Sequence, residues 1–146
     1  MKIDHDALVM VVDGGKMLLF RNHGDASYPH LEVEEALELN NPPDHEQASD
    51  APGRAYSSVG TARSAVEQTD FHELEEMRFA ADAMDRLNNR ALANDFESLI
   101  IVAPPRTLGT LRKHYHKELK TRLSGEVAKD LSGHPVSEIE EILAQS

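Results

Sequence analysis

The residues best suited to chemistry in this sequence are cations gathered in one short stretch. Between positions 106 and 122, six basic side chains accompany a single acid, Glu118. The six are Arg106, Arg112, Lys113, Lys117, Lys120 and Arg122. The chain carries -11 in total, so the remaining residues sum to -16 once this stretch contributes its +5. Because salt largely screens charges beyond about 8 Å, the local cations predict binding of a polyanion, RNA above all, despite the negative net charge of the chain.

The lysines of this stretch repeat at helical spacing. Lys113, Lys117 and Lys120 lie three or four positions apart and would share one face of a helix. Two arginines upstream, Arg54 and Arg63, have no acid between them and could fold toward this face. The predicted nucleic-acid or anion-binding set is therefore Arg54, Arg63, Arg106, Arg112, Lys113, Lys117 and Lys120. The alternative is a solvated helix face whose lysine stems cover the edge of the core.

Other kinds of site find little support in the sequence. With no cysteine, a disulfide, a thiol nucleophile and a thiolate metal site are excluded. His114 and His116 are two positions apart, so they would point to different sides of a helix, and no zinc signature accompanies the eight histidines. Asp4, Asp6 and Asp13 flank an apolar run, but a turn explains Asp13 and the other two precede the run. P-loop, dinucleotide-binding and nucleophile-elbow motifs are absent, so neither a metal nor a cofactor is expected.

Unbroken apolar runs predict the strands that must position these residues. Leu99–Val102 has no polar position and is stopped by two prolines, which predicts an interior strand buried on both faces. Residues 7–12 predict a second buried strand. The Asp-Gly-Gly turn at 13–15 should supply positive φ for a hairpin that returns over 17–20.

Two further strands are predicted from weaker patterns. Glutamates alternate with apolar residues over 31–39, which predicts a half-exposed edge strand with an inward or bulged Glu35. A short strand over 127–131 should follow the basic stretch.

Helical periods account for the remaining segments. A capping box at 70–73 predicts the start of a long helix that runs to about residue 91. Its buried stripe is predicted to be Leu74, Met77, Ala81, Met84 and Leu87. The basic stretch predicts one helix from 106 to 123 with Gly125 at its C′ position, and a last helix should begin near Val136.

The predicted order is β-β-β, a long loop over 40–69, then α-β-α-β-α, in one domain of 146 residues. This order is typical of an α/β fold, a mixed sheet with helices packed on it. No apolar run approaches transmembrane length and the N-terminal residues do not form a signal peptide. We therefore expect a cytoplasmic protein without a membrane partner.

The sequence also resembles a known family, and the resemblance covers almost the whole chain. Its most specific block runs from Pro52-Gly53-Arg54 to Arg78-Phe79-Ala80. Between them fall Ser58, Gly60, Arg63, Glu67, Thr69-Asp70, His72-Glu73 and Glu75, and further matches are Leu99 to Pro105, Leu108-Gly109, Leu111-Arg112, Glu126 to Leu131 and His134-Pro135. On these residues the chain is identified as a member of the bacterial host attachment protein family, described as required for attachment to host cells.

That family is in turn similar to the central domain of archaeal and eukaryotic peptide-chain release factors. The similarity implies an RNase H-like fold and an association with RNA or ribosomes. In the release factors, a loop before the long helix bears a Gly-Gly-Gln motif used in peptidyl-tRNA hydrolysis. This sequence has no Gly-Gly-Gln, and its Gln68 follows Glu67 without a glycine pair. Release-factor catalysis is therefore not expected.

Three functions stay open at this point. The first is a noncatalytic, release-factor-like module that contacts RNA or ribosomes through its arginines and lysine face. The second is a cytoplasmic protein-interaction factor that influences attachment to host cells indirectly. The third is a weak metal-dependent hydrolase with an RNase H-like carboxylate site that includes Asp13.

Overall fold

The computed structural model of the protein describes residues 1–39 and 61–146, with the backbone alone for residues 61–71. The strands in these ranges are β1 (Leu8–Val12), β2 (Lys16–Asn22), β3 (Leu31–Glu38), β4 (Leu99–Val102) and β5 (Leu123–Val127). The helices are α1 (Thr61–Leu92), α2 (Pro105–Arg112), α3 (Lys117–Arg122) and α4 (Val136–Gln145). The first part of the predicted loop, residues 40–60, lies outside the described residues.

The strands form one mixed sheet in the order β3-β2-β1-β4-β5. β1 pairs antiparallel with β2, and β2 pairs antiparallel with β3, whereas β1, β4 and β5 run parallel. The carboxyl ends of the three parallel strands therefore meet at one edge of the sheet. The predicted α/β fold is confirmed. None of the described helices combines the length and apolarity needed to cross a membrane.

Alternating residues of the buried strands face two separate cores. On β1, Met10 belongs to the core under α1, α2 and α3, and its neighbour Val9 belongs to the core under α4. Ile101 and Ile100 divide in the same way on β4. Every residue of β1 and β4 is buried, because helices cover both faces of the sheet, as the continuous apolar runs predict.

The β1–β2 hairpin is confirmed, but its turn differs from the prediction. No glycine among the described residues has a positive φ. The turn is closed instead by the Asp13 side chain, whose Oδ1 accepts hydrogen bonds from the backbone N–H groups of Gly15 at 2.8 Å and Lys16 at 2.7 Å. The Asp13 carboxylate therefore stabilises the turn that positive-φ glycines were expected to form, as Asp commonly does in turns.

β3 lies at the edge of the sheet, as predicted. Leu19 pairs with Glu35 and Phe20 with Val33, so the bulge falls at Glu34, next to the predicted position. The bulge lets two adjacent glutamates reach α1, where Arg90 binds both Glu34 and Glu35.

An alternating ion-pair network fastens this edge to the turn before β4. Arg21 binds Glu34 and Asp95 at 2.7 and 2.9 Å, and Arg90 binds the same two carboxylates. Burial opposes the charged form of Glu34, but hydrogen bonds from the two guanidinium groups lower the pKa of this carboxyl group. The same causes lower the pKa of Asp95.

α1 begins earlier than the capping box predicts. The helix starts at Thr61, so Asp70 and Glu73 lie inside it and the loop prediction for residues 61–69 is wrong. No glycine or proline occurs between positions 61 and 92, so nothing in the local sequence obliges the helix to start later. Gln68 therefore lies in a helix and not in a loop.

The buried stripe of α1 is correct only in its C-terminal part. Met84 and Leu87 are buried, but Leu74 and Met77 are 44 % and 51 % exposed. The core contacts begin at Phe79 and Ala80 instead. Leu74 and Met77 are therefore apolar side chains of α1 that lie outside the core.

The segment after β4 departs most from prediction. The single helix expected from 106 to 123 is two short helices, α2 and α3, joined at 113–116. The strand expected over 127–131 lies four residues earlier, so Gly125 is within β5 and does not end a helix.

Candidate nucleic-acid interface

The cations predicted to bind anions lie around the junction of α2 and α3. We call residues 113–117 the basic turn, since they include Lys113, His114, His116 and Lys117. His116 has extended dihedral angles (φ -77, ψ 155), so the helical path is interrupted there. All four side chains are exposed, whereas Tyr115 at the centre of the turn is partly buried.

A buried side chain of α1 holds the basic turn in place. Asn88 is 7 % exposed, and its Nδ2 donates to the His114 carbonyl at 2.8 Å. Its Oδ1 accepts from the His116 N–H at 3.1 Å. The amide thus satisfies two backbone groups that the broken helix leaves without helical partners, and it stabilises the extended residue between the helices.

A second anchor joins the turn to β5. The Tyr115 hydroxyl donates to Glu126 Oε2 at 2.6 Å, and Arg112 Nη2 donates to Glu126 Oε1 at 2.7 Å. The hydrogen bonds from Arg112 lower the pKa of the Glu126 carboxyl group, with a further contribution from Tyr115, although partial burial opposes the shift. Burial raises the pKa of Tyr115, and its bond to Glu126 raises it further, so the phenol stays neutral.

The spacing of the apolar residues over 111–123 gives no indication of the break between α2 and α3. Leu111 and Leu119 are fully buried on either side of the junction, and Tyr115 and Leu123 pack against the same core. Their four-residue spacing fits an unbroken helix equally well. The break is therefore a tertiary effect of Asn88 and Glu126. One feature of the sequence points to Asn88: it is polar, although it lies four positions after Met84 and therefore on the buried side of the helix.

The six cations of the stretch fall into two groups. Each arginine has a carboxylate partner: Arg106 binds Glu73 at 3.1 Å, Arg112 binds Glu126, and Arg122 binds Glu118 at 3.4 Å. The lysines differ, because Lys113, Lys117 and Lys120 are exposed and form no ion pair with any described residue. The free positive charge of this surface is therefore carried by the three lysines.

The two upstream arginines cannot be placed beside them. Arg54 lies outside the described residues, and Arg63 lies in the first turn of α1 with its side chain outside them. Their joining Arg106 in one patch stays a prediction.

A cleft opens between α1 and α2 beside the basic turn. Its volume is about 140 Å³, and Lys113 and Arg106 line it from α2 while Met77 and Glu76 line it from α1. Gly14 of the β1–β2 turn closes one wall. We call it the α1–α2 cleft. Sequence reasoning placed Met77 in the core and so missed its exposed position here.

The carboxylate considered for hydrolysis is engaged in structural contacts. Besides the two turn amides, Asp13 accepts a hydrogen bond from the buried Ser132 hydroxyl at 2.6 Å, and Ser132 also contacts Asp130 at 3.0 Å. These bonds join the β1–β2 turn to the segment after β5. Within residues 1–39 and 72–146, no three histidine or carboxylate side chains are grouped so as to hold a metal ion.

Comparison with known proteins gives two matches along most of the chain. Residues 6–143 match the family model described as Bacterial archaeo-eukaryotic release factor family 12. A protein of Rickettsia prowazekii (strain Madrid E), named Uncharacterized protein RP470, is 27% identical over 136 residues. The aligned region covers 91% of this chain and 89% of that protein.

Proposed function

Because this chain belongs to bacterial archaeo-eukaryotic release factor family 12, we propose that it is a noncatalytic, release-factor-like module that associates with RNA or ribosomes. The basic turn and Lys120 form the proposed contact surface. The RNase H-like assignment of the fold is part of the same proposal, and it is supported by the mixed sheet with helices on both faces.

The observation that carries the proposal is the state of the three lysines. They are exposed and free of ion pairs with the described residues, while the neighbouring arginines are all bound to carboxylates. A lysine without a carboxylate partner can contact phosphate without breaking an existing pair. Surface lysines held on an anchored turn also lose less conformational freedom on binding than lysines on a mobile segment.

The anchoring of the turn supports a binding role. Asn88 and Glu126 hold it from two different elements, α1 and β5, so the backbone that carries the lysines is fixed before any ligand arrives. Such preorganisation increases affinity because less ordering is required on association.

Two features favour a noncatalytic role. Gln68, the glutamine compared above with that of the Gly-Gly-Gln motif, lies within α1 and has no glycine beside it. Asp13, the carboxylate proposed for a metal-dependent hydrolase, accepts three hydrogen bonds from the turn and from Ser132.

Co-sedimentation with ribosomes tests the proposal. At about 50 mM salt the protein should pellet with ribosomes, and at about 200 mM it should largely remain in the supernatant, because counterion release weakens at higher salt. Binding to tRNA should show the same dependence. Failure to associate with ribosomes, tRNA or single-stranded RNA at the lower salt would refute an RNA-binding function.

A protein-interaction factor that affects attachment to host cells indirectly is the second candidate. The exposed Leu74 and Met77 on α1 favour it, since apolar side chains close together on a surface are typical of partner sites. A captured partner that remains bound after ribonuclease treatment, by a protein that binds no RNA, would support this candidate over the first.

A further inference from the structure

We propose that the α1–α2 cleft receives one unpaired nucleotide of the bound RNA, so that the protein prefers single-stranded RNA to duplex. This inference rests on the proposed RNA-binding function and names the form of RNA that the site takes. It follows from two properties of the cleft: an exposed methionine in its wall, and cations that share the lining with the carboxylates of Glu73 and Glu76.

The apolar part of the cleft lining, Met77 and Ala80, is provided by α1. Met77 is 51 % exposed and lines the cleft together with the buried Ala80. A methionine side chain is flexible and polarizable, and it packs well against aromatic rings. The face of an unstacked base would cover this exposed surface. A base inside a duplex cannot do so, because both of its faces are stacked on neighbours.

The cations stand where the sugar–phosphate chain of that nucleotide would leave the cleft. Lys113 belongs to both the basic turn and the cleft, so a strand bound along the turn passes the cleft opening. Arg106 lies on the same wall and is bound to Glu73 across the cleft by an exposed pair at 3.1 Å. Exposed pairs contribute little to stability, so a phosphate could replace Glu73 as the partner of Arg106.

The cleft also contains groups that suit the edge of a base. The Glu76 carboxylate lies against Gly14, where an added Cβ would come within 2.8 Å of its Oε1. Glycine at this position leaves room for the carboxylate in the cleft wall. Carboxylate oxygens accept hydrogen bonds from the exocyclic amino groups of bases, which adds recognition to the apolar contact.

The test compares one RNA in two forms. A single strand of about 12 nucleotides and the same strand annealed to its complement are titrated with the full chain at one salt concentration. We expect roughly three- to tenfold tighter binding of the single strand. Met77→Gln should remove most of this preference while leaving duplex affinity unchanged, because glutamine keeps the length of the side chain and removes its apolar character.

Leu74→Gln is the matched control, since Leu74 is an exposed apolar residue of the same helix that does not line the cleft. It should leave the preference intact. Equal, salt-dependent binding of both RNA forms by the wild-type protein would overturn the cleft inference and leave the proposed function standing. An equal effect of the two substitutions would also overturn it, and binding of neither RNA would refute both proposals.

Discussion

The side-chain amide of Asn88 accepts a hydrogen bond from the backbone N–H of His116, at 3.1 Å, across 28 positions of the sequence. The same amide donates to the carbonyl of His114. One buried polar residue of the long helix thereby binds two backbone groups at the point where the basic stretch stops being helical. The consequence is local to the binding surface, because Lys113 and Lys117 stand on either side of the two residues it binds.

The first prediction follows from this contact. Asn88→Ala should lower the free energy of unfolding by about 1–3 kcal/mol, since two partly buried hydrogen bonds, to the His114 carbonyl and from the His116 N–H, are lost. Denaturant unfolding measures the change. Asn89→Ala is the control, because Asn89 is exposed on the same helix and should alter stability by less than about 0.5 kcal/mol. Equal stability of the two variants would mean that Asn88 does not hold the turn.

The second prediction concerns pH. The folded protein lowers the pKa of Glu126, mainly through hydrogen bonds from Arg112, so the ionised carboxylate stabilises the fold. This contribution is complete above the ordinary value of 4.5 and is lost as the pH falls through the lower, folded value. Wild-type protein should therefore be more stable than Glu126→Gln at pH 7, and the difference should shrink below about pH 4.5.

Unfolding of both proteins at several pH values measures this difference. The network of Arg21, Glu34, Arg90 and Asp95 also contributes acid sensitivity, but it is present in both proteins and cancels in the comparison. A difference that is constant from pH 7 to pH 3 would contradict ionisation of Glu126 as its cause.

The third prediction concerns the sheet. Ile101 is fully buried on β4, and its side chain belongs to the core under α1. Ile101→Asp should abolish folding, because an unpaired buried carboxylate costs several kcal/mol against a total stability of roughly 5–15 kcal/mol. Ile101→Val should cost only about 0.5–1.5 kcal/mol. Circular dichroism of the two purified variants measures the outcome, and an Ile101→Asp protein that melts like the wild type would contradict interior burial.

Burial along the chain was predictable wherever apolar residues leave no polar face. Leu99–Val102 is mostly β-branched and is stopped by two prolines, which favours an interior strand, and the structure has it there. The start of α1 was not predictable in the same way. Asp70 and Glu73 fit a capping box, but a capping box acts only at the first turn of a helix. In the structure the helix already begins at Thr61, so both residues lie inside it.

The candidate site was predictable in composition and not in geometry. The lysines and arginines are recognisable from charge alone, but which of them are free depends on distant carboxylates. Glu126 pairs with Arg112, which is 14 positions away in the sequence, and Glu73 pairs with Arg106, which is 33 positions away. Such pairings are set by the packing of α1, α2 and β5, which no local spacing encodes.

The last prediction tests the three lysines directly. Changing Lys113, Lys117 and Lys120 together to Gln should reduce the slope of log K against log salt for RNA binding by roughly two units. Each phosphate contact contributes about 0.7–0.9 to that slope, and the three lysines have no carboxylate partner among the described residues that would weaken their contacts. Folding should be unaffected, since all three side chains are exposed.

The other three lysines of the chain provide a control with the same change of charge. Lys2, Lys16 and Lys129 lie outside the basic stretch, so their joint replacement by Gln lowers the net charge equally. Salt titrations of both triple variants separate a local contact from a general effect of charge. At physiological salt, charges beyond about 8 Å are largely screened, so the control should keep nearly the wild-type slope. Equal slopes in the two variants would show that the basic turn is an ordinary solvated surface.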